Sequence, residues 1–309
     1  MAKKMRVREG SRRIALTLID KGVGLTSNNV VGKVRYLSGN SRVGHSGTLD
    51  PFASGLMVVA LGQGTRLLPF LHNYPKRYSA RLALGSATDT GDLTGEVVGR
   101  SRLPSTSQSE LDEVLSQMFG QSLQVPPIYS ARKVDGVRSY QLAREGRPVE
   151  LEATPIFVHS ISGKWISDDL IDFEVLCSRG TYVRTLGEDI AKRLGTLGHL
   201  LELRRIESDG FSVDSAVGVP EDRSDLRYCD DLLLSRFGSL GVDGPTSKRL
   251  INGVECGLDL LGGNFAQREG LIFVYSSERV DHPENLEDLI GLFEIGDEKL
   301  SPRVIFPQL

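Results

Sequence analysis

Gly44-His45-Ser46-Gly47-Thr48-Leu49-Asp50-Pro51 is a polar loop with two glycines, set just ahead of Gly55-Leu56-Met57-Val58-Val59-Ala60-Leu61, a continuous apolar run. A run of that kind reads as a strand buried on both faces. The glycines let the loop turn sharply and admit close approach of a ligand. Pro51 restricts Asp50 to extended geometry, which holds its carboxylate in one place. A fixed carboxylate in a tight loop suits a nucleophile or general base. The same residues also fit a plainer reading. An Asp-Pro at a loop end is more often a simple turn, and a lone His45 is more often a structural hydrogen-bonder than a catalyst.

Outward from this loop the chain alternates strand and helix patterns. Ile14 to Ile19 reads as a first strand, and Thr26-Ser27-Asn28 supplies N-cap candidates for a helix carrying Val30, Val31, Val34 and Leu37, with its stop at Ser38-Gly39-Asn40. Tyr78, Ala80, Leu82 and Leu84 alternate with Ser79, Arg81 and Ala83, a half-buried strand ending at Gly85. Leu111, Val114, Leu115, Met118 and Phe119 mark an amphipathic helix that the pattern caps at Ser109 and stops at Gly120. Ile171, Phe173, Val175 and Cys177 alternate as another strand, and Thr185 with Glu188 predicts a capping box for a helix carrying Leu186, Ile190 and Leu194. Residues 210–235 read as a polar, irregular junction. Leu271 to Tyr275, Leu289 to Phe293 and Arg303 to Phe306 then read as short strands of a small β-rich domain. With no regular βαβ repeat, the expected class is α+β rather than a doubly wound sheet.

Composition narrows the function. The 309 residues allow one large domain with a smaller one, or two of medium size. The longest apolar stretch, Leu56 to Leu61, is far too short to cross a bilayer, and no small-residue cleavage site follows the basic start, so a cytoplasmic protein is expected. Three widely spaced cysteines (Cys177, Cys229, Cys256) with no Cys-x-x-Cys pair argue against a disulfide scaffold or zinc ribbon. The net charge of −3 hides a strong polarity: residues 1–100 carry +9, residues 101–200 carry −2 and residues 201–309 carry −10. The N-terminal part is therefore the one suited to a polyanion.

A second polar segment, Ser178-Arg179-Gly180-Thr181-Tyr182-Val183-Arg184-Thr185-Leu186, joins a strand to a helix, a common place for functional side chains. Arg184, expected just before the cap, could pair with a carboxylate and hold Asp50 ionised; on spacing alone an ordinary surface arginine fits as well. Gly62-Gln63-Gly64-Thr65 lacks the ending of a P-loop, and neither a dinucleotide fingerprint nor a His/Glu metal spacing occurs. Neither a metal nor a cofactor is expected.

Five segments taken together resemble one family. Gly44 through Gly55 is similar to the signature of the TruB family, which makes pseudouridine at position 55 of the tRNA T-arm. Lys76-Arg77-Tyr78 with Leu84-Gly85 resembles that family's second motif, Arg179 through Leu186 the third, and Leu203-Arg204-Arg205 the one after it. Val125-Pro126-Pro127-Ile128-Tyr129-Ser130-Ala131 with Gly136 and Tyr140 is similar to its RNA-gripping insertion. The matches keep the family's order and span residues 14–211. One departure is Ser46, where the family motif often has glycine.

The resemblance implies a pseudouridine synthase fold: a central mixed, mainly antiparallel sheet with flanking helices, and a small C-terminal PUA-like β-rich domain. It divides the chain into a basic leader at 1–13, a catalytic domain at 14–230 with the insertion at about 124–147, and the PUA-like part at 236–309. It implies that Asp50 is the nucleophile and that Tyr78 stacks on the target base and serves in deprotonation. By the same resemblance Arg184 pairs with Asp50, His45 helps extrude the base, and Tyr182 and Leu203 line the pocket. Lys76, Arg77, Arg132, Lys133, Arg138 and Arg144 are the expected RNA-binding cations. The implied partner is the T-arm of tRNA, met by a monomer without a protein partner or a membrane. Two rivals stand beside this reading. One is a nucleoside or glycoside hydrolase built on Asp50, disfavoured because no matched segment supplies a second acid. The other is a non-catalytic RNA-binding or RNA-folding module.

Overall fold

The computed structural model describes residues 14–71, 74–130, 132–134, 136–145, 151–258, 270–284, 286–296 and 298–307. The expected basic leader, residues 1–13, lies outside them. The main elements are β1 (Ile14–Lys21), α1 (Ser27–Ser38), β2 (Val43–His45), β3 (Ser54–Gly62), β4 (Lys76–Leu84), α2 (Gln108–Ser116), β5 (Gly120–Gln124), β6 (Thr154–Ser167), β7 (Leu170–Cys177), α3 (Val183–Arg193), β8 (Gly198–Ser208) and β9 (Val217–Gly218). A second group follows: α4 (Asp230–Phe237), β10 (Ser239–Val242), α5 (Gly244–Ile251), β11 (Cys256–Gly257), β12 (Gly270–Ser276), β13 (Leu289–Gly296) and β14 (Lys299–Ile305).

The first group builds a mixed sheet in the order β9-β1-β3-β8-β4-β7-β6-β5, with β2 attached to β3 and the short strand Phe211–Ser212 attached to β8. Only the β1/β9 and β3/β8 pairs are parallel, so the sheet is mainly antiparallel, as expected. β3 is buried almost throughout because both its faces are covered. Met57, Val59 and Leu61 face a core that also holds Val30 and Val34 of α1 and Leu186 and Ile190 of α3. Leu56, Val58 and Ala60 face the opposite core, shared with Phe273 of β12, Leu292 of β13 and Phe306. The second group forms its own sheet, β10-β12-β13-β14-β11, and packs through that core on the back of the first. The small C-terminal β-rich unit read from the sequence is thus present, and its outer face encloses a third cluster around Val274, Ile290 and Phe293.

Two helix starts differ from expectation. α2 is capped by Ser107 with Glu110 closing a capping box, and it ends at Ser116; Gly120, expected as its stop, opens β5. The Ser109 expected at the cap lies inside the first turn, because Ser107 is the residue with Glu three positions on. α3 begins at Val183, so Arg184 lies in its first turn rather than before it, and Thr185 with Glu188 forms no capping box. Glu188 instead lies against the turn at Gly91, where an added Cβ would meet its Oε1 at 2.6 Å. The junction at 210–235 is less irregular than its polarity suggests, since it holds Phe211–Ser212, β9 and the start of α4.

The join of β3 to β8 places the active region and rests on one glycine. Gly55 has φ +107, and a Cβ there would lie 2.2 Å from the carbonyl oxygen of Arg205, its register partner. Gly55→Ala is therefore expected to destabilise the fold by roughly 2–4 kcal/mol, through a strained φ and a backbone clash together. Urea unfolding checks this; a change below about 0.5 kcal/mol, the usual surface range, would show that the strand join tolerates a side chain.

Candidate active site

The loop from Ser46 to Ala53 connects β2 to β3 and is held from three sides. Ser27, in the first turn of α1, donates from Oγ to the Leu49 carbonyl at 3.0 Å and accepts from the Leu49 amide at 2.9 Å. Arg205 of β8 is 1% exposed, and its guanidinium donates to three backbone carbonyls: Nε to Leu56 at 2.7 Å, Nη2 to Gly47 at 3.1 Å and Nη1 to Thr48 at 3.3 Å. Lys21, at the end of β1, is fully buried and donates from Nζ to the carbonyls of Gly22, Leu25 and Ala53. Burial, with Arg205 adding to it, lowers its pKa to about 8 against the pull of Asp50. These cations satisfy carbonyls that the non-repetitive loop leaves unpaired.

Asp50 meets Arg184 across the core of this arrangement: Nε of Arg184 lies 2.9 Å from Oδ2 of Asp50. Arg184 is buried, whereas the Asp50 side chain keeps 36% exposure, so one face of the carboxylate stays open to a ligand. The remaining guanidinium nitrogens are fixed by Nη1 to the Thr90 carbonyl at 2.6 Å and Nη2 to the Tyr129 carbonyl at 2.8 Å. A second carboxylate, Asp92, lies 3.5 Å from Nη1. Burial raises the Asp50 pKa above the ordinary carboxylate value; Arg184 opposes this and Asp92 reinforces it.

The second acid that the matched segments lack is therefore supplied by a turn outside them. Its oxygens are engaged, however. Oδ1 of Asp92 accepts from the Thr94 amide at 2.9 Å and from the Thr90 hydroxyl at 3.0 Å, while Oδ2 faces Arg184. Asp92 lines a smaller cavity beside Asp50, but its side chain is 6% exposed and both oxygens are engaged by the arginine and by its own turn.

Beside Asp50 opens a cavity of about 510 Å³ whose walls include His45, Tyr78, Arg132, Arg179, Tyr182 and Leu203. Tyr78 and Leu203 come from adjacent strands, β4 and β8, and are nearly buried. The Tyr78 hydroxyl is pushed above its ordinary pKa by burial, partly offset by the Arg205 cation beside it. Tyr182 is the N-cap of α3 and makes no side-chain cap; Gln124 of β5 clasps its backbone, with Oε1 accepting from the amide at 2.8 Å and Nε2 donating to the carbonyl at 3.1 Å. His45, at the end of β2, borders this cavity and a neighbouring one of about 380 Å³ on the other side of Asp50. The six residues expected around the chemistry are thus gathered at one place.

The expected RNA-binding cations divide. Lys76 is buried in the cavity wall, with its Nζ beneath Gly47; burial and then Arg205 lower its pKa to about 8, and Asp209 opposes them. Arg77 points to the other face of β4 and is ion-paired with Glu174 at 2.8 Å and Glu207 at 3.1 Å. Arg132 borders the cavity. Lys133 and Arg138 lie on a two-strand hairpin and Arg144 ends a short helix, placing the backbone of the insertion; their side chains lie outside the described ones. Sequence reasoning missed Lys21, Asp92, Gln124, Asp209 and the strapping role of Arg205. The Asp89-Thr90-Gly91-Asp92 turn, with two acids and a glycine, carried the one readable signal among them. Among the described residues no group of three or more His, Cys, Asp or Glu is arranged to hold a metal ion, and no helix is long and apolar enough to cross a membrane.

The family model described as "TruB family pseudouridylate synthase (N terminal domain)" matches residues 35–183. The chain is 44% identical over 226 residues to the tRNA pseudouridine synthase B of Geobacter sulfurreducens, covering 72% of this chain and 74% of the relative. It is 40% identical over 262 residues to that of Syntrophotalea carbinolica, covering 82% and 86%. Among solved structures, a Cbf5-Nop10-Gar1 complex chain superposes with TM-score 0.67 at 20% identity, covering 97% of this chain and 87% of that one, which is a likeness of fold.

The electrostatics of the ion pair generate a titration prediction. Asp50 is expected to titrate above the usual carboxylate value of about 3.9. Asp92→Asn removes a charge that raises its pKa, so the midpoint should fall; Arg184→Gln removes a charge that lowers it, so the midpoint should rise further. Any step that needs ionised Asp50 is lost as pH drops through that midpoint. Carboxyl-detected NMR titration reads it directly, and a wild-type midpoint below about 4 would sink the assignment of burial as the leading cause.

Proposed function

The chain belongs to the TruB family of pseudouridine synthases, and from that membership we propose that it isomerises uridine 55 in the T-loop of tRNA to pseudouridine, with Asp50 as nucleophile. The observation that carries this reading is the half-open Asp50 carboxylate, held by buried Arg184 at the mouth of a cavity walled by Tyr78, Tyr182 and Leu203. A base inside a folded loop must leave its stack before it is reached, and an aromatic and apolar pocket offsets part of that cost. Asp50 drives the break of the N1–C1′ bond. The freed uracil turns and bonds to C1′ through C5, the proton on C5 is removed, and N1 gains one. Tyr78 stacks on the base and takes part in that deprotonation. Substrate and product are isomers, so the balance needs no electron or group carrier.

We assign catalysis to residues 14–230, closure over the T-loop to the insertion at about 124–147, and a PUA-like role to residues 236–309. His45 helps hold the opened loop, and the working unit is a monomer in the cytoplasm. The cations that reach phosphate are Arg132 and Arg179, which border the cavity and pair with no carboxylate among the described residues, together with the basic insertion. Arg77, ion-paired with Glu174 and Glu207 on the other face of β4, is assigned a place outside that footprint.

A pseudouridine assay on unmodified tRNA transcript tests the reading. Wild type should modify the T-loop, while Asp50→Asn should lose about 10⁴-fold or more in rate and still bind tRNA. Binding by both proteins without pseudouridine from either would hand the site to the binding-module reading. Salt titration separates the cations. Arg132→Gln and Arg179→Gln should each flatten the log K against log salt slope by about 0.7–1, as loss of one phosphate contact does, whereas Arg77→Gln should leave it unchanged.

A further inference from the structure

The loop that carries Asp50 has a tether that neither the ion pair nor the family signature accounts for. β8 turns into Phe211–Ser212 through a two-residue hairpin, Asp209-Gly210, flanked by the pairs Glu207↔Ser212 and Ser208↔Phe211. Both turn residues have positive φ, +56 for Asp209 and +76 for Gly210, the combination of a type I′ turn. Such a turn accepts Gly, Asn or Asp at its first position, and at a surface hairpin the side chain faces water. Here it does not. Asp209 is fully buried, and its carboxylate is turned back under the active-site loop.

Ser46, Ser208 and Lys76 meet that carboxylate. The Ser46 hydroxyl donates to Oδ2, the Ser208 hydroxyl donates to the same oxygen at 2.8 Å, and Nζ of Lys76 lies 3.9 Å from Oδ1. The Ser46 amide donates to the Val58 carbonyl at 3.1 Å, so this residue is tied to β3 and to the hairpin at once. Lys76 lies directly under Gly47, where an added Cβ would meet Nζ at 2.7 Å, and it stands two residues from Tyr78 on the same face of β4. The carbonyl of Asp209 in turn accepts from Nη1 of Arg236 on α4, whose guanidinium lies 3.5 Å over the Tyr74 ring. A single turn residue thus touches the Asp50 loop, the strand of Tyr78 and the helix leading into the C-terminal sheet.

We propose that Asp209 is a positioning residue of the active site: through Ser46 and Lys76 it fastens the Ser46–Leu49 loop to β4 and so sets the register of Asp50 against Tyr78. The claim deepens the isomerase reading above and rests on it for its kinetic consequence. The alternative is that Asp209 only forms its turn, and two substitutions that keep a type I′ turn separate the roles. Asp209→Gly keeps the turn and deletes the carboxylate. Asp209→Asn keeps the turn and an acceptor for Ser46 while removing the charge opposite Lys76.

The experiment is amide hydrogen exchange over residues 44–50, paired with single-turnover and steady-state kinetics on tRNA transcript. Asp209→Gly and Ser46→Ala should each speed exchange in the loop, with β4 and β8 still protected, and lower kcat by about tenfold at little changed KM. Asp209→Asn should restore most of the loop protection. Ser46→Ala placed in the Asp209→Gly background should cost nothing further, because its partner is already gone. Unchanged loop exchange in Asp209→Gly overturns the tether whether or not the protein forms pseudouridine. Additive kcat losses in the double variant overturn the link through Ser46. A wild type that forms no pseudouridine but shows the exchange pattern would remove the isomerase reading and keep the tether.

Discussion

The contact between Arg184 and Asp50 constrains the architecture around the site. An arginine taken out of water loses several kcal/mol of hydration, and one carboxylate that remains partly exposed does not offset that. The deficit is met by recruiting other elements: the Thr90 carbonyl from the turn after β4, the Tyr129 carbonyl from the mouth of the insertion, and the Asp92 carboxylate. Each recruit is thereby fixed. The insertion is anchored where it leaves the sheet, and the 88–92 turn is pressed against α3. Removing Asp50 leaves the cation with other partners; removing Arg184 leaves Asp50 to the weaker pull of Lys21 while Asp92 still repels it.

The same logic applies around the loop. Lys21, Lys76 and Arg205 are all buried, an unusual concentration of cations beneath the loop that carries Asp50. Most of their donors go to backbone carbonyls of an irregular segment that has no ladder of its own. They stiffen the loop and at the same time contribute positive potential around the Asp50 carboxylate. A preorganised charge of this kind does not have to reorganise during reaction, which is where fixed protein dipoles and ions outperform water. The overall charge of −3 conceals this, because the acidic excess lies in residues 201–309, mostly away from the cavity.

The two sheets divide the mechanical work. β3 is sandwiched between two cores, one shared with α1 and α3 and one shared with the C-terminal sheet, so the strand that follows the loop has no freedom to shift. Gly55 lets β8 approach closely enough for Arg205 to reach back over the loop. The C-terminal sheet thus supports the site from behind through apolar packing, irrespective of any contact it makes with RNA.

Much of this was legible in the residues. Local patterns mark β1, β3, β4, β7 and α1 because alternation, apolar runs and a Thr-to-Gly frame each report one element's own burial. The Asp50 loop stood out because glycine, proline and an acid at fixed offsets restrict a backbone whatever surrounds it, and the resemblance of five ordered segments supplied the chemistry. Helix starts were read less well: Ser107 rather than Ser109 caps α2, and Glu188 turns toward Gly91 instead of capping α3. Capping offsets are satisfied by many sequences, and packing chooses among them. What only the tertiary structure decided is which charges meet. Asp92, Lys21, Gln124 and Asp209 lie far from Asp50 or Tyr182 in sequence, and no spacing rule links them. Arg77 and Lys76, adjacent in the chain, end on opposite faces of one strand, one paired on the surface and the other buried under the loop. The sequence by itself determined the elements and the constrained Asp50 loop, since those depend on neighbours along the chain. Partnership among buried charges was left to the fold, because Coulomb and hydrogen-bond energies depend on distances that only the closed sheet establishes.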